Sequence, residues 1–293
     1  MPPGLSQARL REYLLTPTGP WQHVDVQERV DSTNAWSTRD PRPWRVAVAG
    51  EQSAGRGRRG RDWSSPPGTS VSISLTVPMA ADPLAWGWLP LLTGLATRDG
   101  LAEVTGASDP DAFVLKWPND VLARESAADP AQEPRKICGI LCETTADALV
   151  VAGIGVNVSV ARQDLPVPTG TSLALCGSVV SRDDVVIAVA RAFARWHERW
   201  YAGGAGLEEV RRSYRRHCGT IGAPVRIDLG VSLRDGPHPH DGVAGGAPAA
   251  GFGQVVEGTA VDVDETGEIV IQTTQGRRSF AAGDVVHLRR VPR

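Results

Sequence analysis

Lysine is nearly absent from this sequence. Of its 31 basic residues only Lys116 and Lys136 are lysines, and the other 29 are arginines. Arginine replaces lysine on a surface at little cost, but it does not replace a compact point charge on a flexible stem. The two survivors are therefore candidates for chemistry. An excess of either charge is also lacking. With 33 acidic residues the net charge is -2 and the pI about 6.3, which argues against whole-protein affinity for nucleic acid or an anionic membrane. Any basic function must be local. Cysteine is scarce: the four residues at 138, 142, 176 and 218 form no CxxC pair. In a chain of 293 residues they read as buried thiols of a reducing compartment. Long apolar runs are missing too. The longest apolar uncharged run, Pro83 to Thr97, is too short to span a bilayer and contains Pro90. The N-terminus has neither an apolar h-region nor a small-residue cleavage site, so no signal peptide and a cytoplasmic location are expected.

What the sequence does have is one concentrated patch of positive charge. In "GEQSAGRGRRGRDW", Gly50 to Trp63, the arginines 56, 58, 59 and 61 alternate with the glycines 55, 57 and 60. Glycines let backbone N–H groups approach an anion closely, and guanidinium groups supply forked donors to phosphate or carboxylate. Taken alone, the segment reads equally as a ligand-closing loop or as an RNA-binding or solvated stretch. Its neighbours favour a loop inside a sheet domain, because "QHVDVQERV" and "WRVAVAGE" before it and "TSVSISLTV" after it read as strands. In the last, Val71, Ile73, Leu75 and Val77 alternate with Ser70, Ser72, Ser74 and Thr76, the pattern of a half-buried strand.

A helical stretch is expected from Pro83 to Val104, followed by three strands, "AFVLKWPNDVLA", "KICGILCETT" and "ALVVAGIGVNVSV". Ser181 and Asp184 form a capping box ahead of an apolar stripe from Val185 to Trp200, and that helix stops at Gly203-Gly204. "LEEVRRSYRRHC" is a second helix with a solvated basic face. From Gly219 the texture changes to short strands with tight turns, including a "DETG" hairpin signal, and suggests a small β-barrel-like second domain. The Gly/Pro/His/Ala-rich stretch 229–253 interrupts it and reads as a mobile insertion.

Four further motifs carry polar groups at strand ends. "DSTN", Asp31 to Asn34, offers hydroxyls and an amide at a strand-to-helix junction, where simple N-capping is the competing explanation. "KWPND", Lys116 to Asp120, ends a strand at Pro118. "KICGIL", Lys136 to Leu141, takes a lysine into an apolar strand, where Gly139 would let a flat ligand lie on the backbone. "GIGVNV", Gly153 to Val158, adds strand glycines and an amide.

In this order the five motifs resemble biotin–protein ligases, from about His23 to the C-terminal "GDVVHLR". The resemblance implies an α+β fold: a mixed or antiparallel sheet catalytic domain over 1–218, and a small SH3-like β-barrel over 219–293. It implies ATP and biotin as substrates, Mg²⁺ accompanying ATP, and a biotin carboxyl carrier domain as acceptor. Biotin would be activated as biotinyl-5′-adenylate and passed to a lysine of that domain. By position in the motifs, Lys136, Arg58 and Lys116 fall on catalytic residues. Ser32, Thr33, Asn34, Gln52, Gly55, Arg56, Lys136, Gly139, Gly153 and Gly155 fall on biotin-binding ones. Arg56, Arg58, Arg59, Arg61, Trp63, Lys116, Asn119, Asp120, Lys136 and Asn157 fall on the ATP and adenylate site, with Trp63 stacking near adenine. No protein-bound metal site is expected. Cys138 stands where many relatives carry a small apolar residue. Only 31 residues precede "STN", so the helix-turn-helix domain of the family's repressors is not expected, nor is a nucleic-acid or membrane partner. The alternatives are lipoate–protein ligase, which shares the two-step logic but is expected to carry a different arginine motif, and an RNA-binding module.

Overall fold

The computed structural model describes residues 4–64, 66–80, 82–126, 132–228, 255–281 and 284–287. The expected insertion at 229–253 lies outside them. The chain divides into two compact units, Met1–Gly219 with Glu265–Gly267, and Thr220–Asp264 with Glu268–Arg293.

The first unit contains α1 (Gln7–Leu14), β1 (His23–Val30), α2 (Thr33–Arg39), β2 (Arg45–Gln52), β3 (Ser70–Pro78), α3 (Leu89–Thr105), β4 (Phe113–Lys116), β5 (Asp120–Ala123), β6 (Arg135–Thr144), β7 (Leu149–Asn157), α4 (Arg182–Ala202) and α5 (Gly204–His217). Its seven-stranded sheet runs β1-β2-β3-β7-β6-β5-β4. Only β1 and β2 are parallel, with α2 as the crossover between them; the other neighbours are antiparallel. The sheet is thus mixed, in an α+β unit.

Three expectations are corrected here. β3 is not half-buried: every residue from Ser70 to Val77 is buried. It lies in the middle of the sheet with α2 and α4 both in contact with it, and short hydroxyl side chains fill the face that its alternation assigned to solvent. "AFVLKWPNDVLA" is not one strand but the hairpin β4–β5, which places Lys116 directly across from Asp120. The helix expected from Pro83 begins as a 3₁₀ turn, Pro83–Trp88, and becomes α-helical only at Leu89, with Pro90 in its first turn, where a missing N–H costs nothing. α1 has no clear sequence signal; Ser6 caps it, and it buries Leu10 and Leu14. As expected, α4 starts with the Ser181 hydroxyl accepting from Asp184 N at 3.1 Å and ends at Gly203 with φ 66°.

The second unit contains β8 (Pro224–Asp228), β9 (Val255–Val263), β10 (Ile269–Thr273), β11 (Gly276–Phe280) and β12 (Asp284–His287). They form an antiparallel sheet in the order β11-β10-β9-β8-β12. "RSFAAGDVVHLR" contributes to two strands, β11 and β12. The "DETG" turn closes β9 onto β10 through Asp264 N donating to Glu268 O at 2.9 Å. Val225, Ile227, Ala260, Val263, Ile269 and Ile271 are fully buried within this unit.

Candidate active site

All five motifs meet at one cavity of about 310 Å³ in the first unit. It lies on the α2 side of the sheet centre, where β6 and β7 run side by side with Gly139 opposite Gly155. Ser32, Thr33, Asn34, Gln52, Arg56, Arg58, Arg61, Trp63, Asn119, Lys136, Gly139, Gly153, Gly155 and Asn157 line it. Of the remaining expected site residues, Gly55, Arg59, Lys116 and Asp120 do not.

The end of the cavity beneath α2 is a network of committed polar atoms. Ser32 is the N-cap of α2, its hydroxyl accepting from Ala35 N. Asp31 fixes the same junction: it accepts from Ser32 N at 2.8 Å and grips Arg39 with both oxygens. The Arg39 guanidinium, helped by the Ser32 amide, holds the Asp31 carboxyl down at about 2. The N-capping explanation of "DSTN" is therefore correct, and the same turn also presents the motif to the cavity. Gln52 Oε1 accepts from Thr33 N and Thr33 Oγ1 at 2.8 and 3.1 Å, which turns the Gln52 amide nitrogen away from Thr33 and toward Gly55. Asn34 donates to Leu141 O and Glu143 Oε2 at 3.0 and 2.8 Å, and its Oδ1 accepts from Ser74 Oγ at 2.6 Å. Asn34 lies so close over Gly153 that a Cβ there would overlap its amide.

Lys136 marks the opposite end. Its Nζ is 2.7 Å from Asp120 Oδ1 and 5.7 Å from the centre of the Trp63 ring. Its backbone is clamped: Lys136 N donates to Thr169 O at 2.9 Å and Thr171 N donates to Lys136 O at 2.8 Å. Asn157 donates to Thr171 O at 2.9 Å. The segment that does this clamping also brings Pro166 and Val167 to the cavity, and nothing in its composition announced a role. Asn119 donates to Ile140 O at 2.9 Å, tying the "KWPND" turn to β6. Lys116 sits across the β4–β5 ladder from Asp120, outside the lining.

The Gly-Arg loop is a small hairpin. Trp63 N donates to Gly55 O at 2.9 Å and Gly57 N to Arg61 O at 2.6 Å, and Arg56 pairs with Asp62. It turns through two consecutive left-handed residues, Arg59 at φ 57° and Gly60 at φ 68°, the second at a position glycine fills without strain. The hairpin lays the Trp63 indole on the two strand glycines. A Cβ on Gly155 would overlap the indole, and one on Gly139 would lie 2.9 Å from it. The glycines expected to admit a flat ligand thus admit a flat side chain of the protein itself. Burial raises the pKa of the Cys138 thiol next to Gly139 and pushes that of Cys142, farther along β6, up to about 12. All four cysteines are free. No group of three or more His, Cys, Asp or Glu among the described residues is placed to hold a metal ion.

This arrangement has known counterparts. The Biotin/lipoate A/B protein ligase family matches residues 26–159, and the Biotin protein ligase C terminal domain matches 250–288. The chain is 33% identical to the biotin--[acetyl-CoA-carboxylase] ligase of Mycobacterium tuberculosis over 98% of this chain and 97% of that protein. It is 27% identical to the enzyme of that name from Paracoccus denitrificans over 88% of this chain and 97% of that one. The fold is similar to that of the biotin protein ligase from Aquifex aeolicus solved in complex with biotin and ATP: TM-score 0.66, 22% identity, 92% of this chain and 100% of the other. With its motifs gathered at one cavity and relatives matched over nearly their whole length, the chain belongs to the biotin protein ligase family.

Proposed function

We propose that the protein activates biotin with ATP and transfers it to a lysine of a biotin carboxyl carrier domain, and that the cavity described above is where both steps occur. The observation that carries this reading is the placement of one ammonium group, Lys136, across a single cavity from a polar end whose atoms are already oriented.

In the first step a biotin carboxylate oxygen attacks the α-phosphorus of ATP. A P–O bond forms, the bond to the β-phosphate bridge breaks, and pyrophosphate leaves. In the second, the carrier amine attacks the acyl carbon, AMP leaves with the C–O electron pair, and the amine proton is lost. Both transition states gather negative charge on oxygen, so fixed cations are the main contribution the protein makes. Lys136, held by Asp120 and clamped at its backbone, serves the carboxylate and α-phosphate; Arg58 of the loop serves the adenylate. Ser32 and Gln52 face the bicyclic ring. Asn34, whose three polar contacts are all within the protein, shapes that end. Asn157 and Trp63 belong to the adenine side, and Lys116 supports the turn that holds Asp120 and Asn119. Mg²⁺ would enter as the counter-ion of ATP, with Asp120, the partner of Lys136, as the carboxylate that assists it. No nucleic-acid partner is proposed. Among the described residues no helix is long and apolar enough to cross a membrane, and the free cysteines suit a cytoplasmic site of action.

The test is direct. The protein is mixed with ATP, biotin and a carrier domain, and the carrier is weighed intact. A biotin adduct on one lysine, with AMP and pyrophosphate released in step, is the expected result. No adduct, or an adduct formed equally well with lipoate, overturns the assignment.

A further inference from the structure

Glu143 carries none of the five motifs' expected roles, yet it touches two residues that do. Its Oε2 accepts from Asn34 at 2.8 Å and its Oε1 from Arg56 Nη2 at 3.2 Å. Asn34 belongs to the buried polar end of the cavity and is 4% exposed. Arg56 belongs to the first arm of the hairpin, with its side chain 51% exposed. One carboxylate therefore joins the buried polar network of the site to the Gly-Arg loop, with one oxygen for each.

The geometry around Asn34 gives the other half of the inference. An amide can be flipped end for end unless its partners forbid it. Here Leu141 O and Glu143 Oε2 both require the nitrogen on one side, and Ser74 Oγ faces the oxygen. A carboxylate accepts only, so Glu143 enforces the same orientation while it anchors a guanidinium. A glutamine at this position keeps an acceptor for Asn34 but turns an N–H toward Arg56, setting donor against donor.

We infer that Glu143 is a positioning residue: it fixes the Asn34 amide and anchors the Arg56 arm, so that the loop's closed position is set from the biotin end of the site. This rests on the cavity being the biotin site, as proposed above. Its first consequence does not require activity. In the protein without substrates, E143Q exchanges the amide hydrogens of residues 55–63 faster than wild type, while those of β7 are unchanged. The second is kinetic. The anchor exists before, during and after the chemistry, so its loss weakens binding throughout. E143Q raises KM for biotin about fivefold, the range of a half-exposed charge-assisted bond, and leaves kcat nearly unchanged. R56Q breaks the pair from the other side without touching β6; because Arg56 also lines the cavity, its KM for biotin rises at least as far as that of E143Q. Combined with R56Q, E143Q adds less than about twofold, because the two act through one contact. Unchanged exchange at 55–63 in E143Q, a fall in kcat without a rise in KM, or fully additive effects in the double variant overturns the inference. A wild-type protein that transfers no biotin counts instead against the functional reading, and the exchange experiment still decides whether the anchor exists.

Discussion

The two halves of the site are built on opposite terms. At the α2 end, Thr33, Asn34 and Ser74 are 0–4% exposed, and their polar atoms are joined to partners on other elements at 2.6–3.1 Å. On the loop side, Arg56 is half exposed, and the hairpin is closed by its own backbone through Gly55 and Gly57. A glycine-rich segment loses much conformational freedom on ordering, about 1–2 kcal/mol for each residue fixed, and four like charges in it repel one another until an anion arrives. On the proposed reading, the buried end selects a neutral ring through fixed partners, and the loop answers a charged group by closing. The difference teaches that this reading assigns recognition and retention to two differently built segments.

The largest break in that comparison comes from the cation between the halves. Lys136→Ala lowers biotin-dependent ATP–pyrophosphate exchange by about 10²–10³, the usual cost of one preorganised transition-state charge, while biotin binding suffers less. Lys136→Arg fails nearly as badly, since a planar fork does not fit where a point charge pairs with Asp120. Normal exchange in the arginine variant contradicts both the role and the inference from lysine scarcity.

Next is Gly155→Ala. A Cβ there overlaps the Trp63 indole, and overpacking of this kind costs about 1–3 kcal/mol, so nucleotide affinity falls about tenfold or more by calorimetry. Biotin affinity falls less, since the polar contacts of the α2 end are untouched. Equal losses for both ligands remove the division between the halves.

Arg58→Gly is a smaller and more selective change. The loop retains adenylate less well, so the variant releases the mixed anhydride and labels lysines of a bystander protein while adenylate synthesis persists. Bystander labelling no higher than wild type removes Arg58 from retention.

The smallest effect concerns pH. The Asp31 carboxyl is held at about 2 against a usual 3.8. A depressed carboxyl contributes stability above its unfolded pKa and loses it as pH falls through the folded one. The stability gap between wild type and Asp31→Asn therefore closes between 3.8 and about 2. The ion pair is largely exposed, so the gap is modest. Urea midpoints across that interval measure it, and a gap that is flat with pH refutes the assignment.

Much of this was legible in the chain. The strand glycines, "DSTN", the Gly-Arg stretch and Lys136 stand out by residue type and spacing and meet at one cavity, while the other scarce lysine, Lys116, lies outside its lining; the alternating strands marked the sheet. The misreadings share one cause: what a side chain faces is decided by partners distant in sequence. Ser72 and Ser74 look solvent-facing by period, yet α2 covers that face and Ser74 bonds Asn34. The segment 166–171 has no motif, since its use lies in backbone groups that clamp Lys136. Glu143 is one acidic residue among 33, distinguished only by what folding places on each of its oxygens. The resemblance puts Trp63 near adenine; that it lies on Gly139 and Gly155 follows from the closed hairpin, which spacing does not encode.

Hydrogen exchange along the whole chain, with and without biotin and ATP, tests the central claim most directly. The account predicts strong new protection across 53–63, while α2 and β7, protected beforehand, change little. New protection spread evenly over α2, β7 and the loop, or none in the loop, would contradict it.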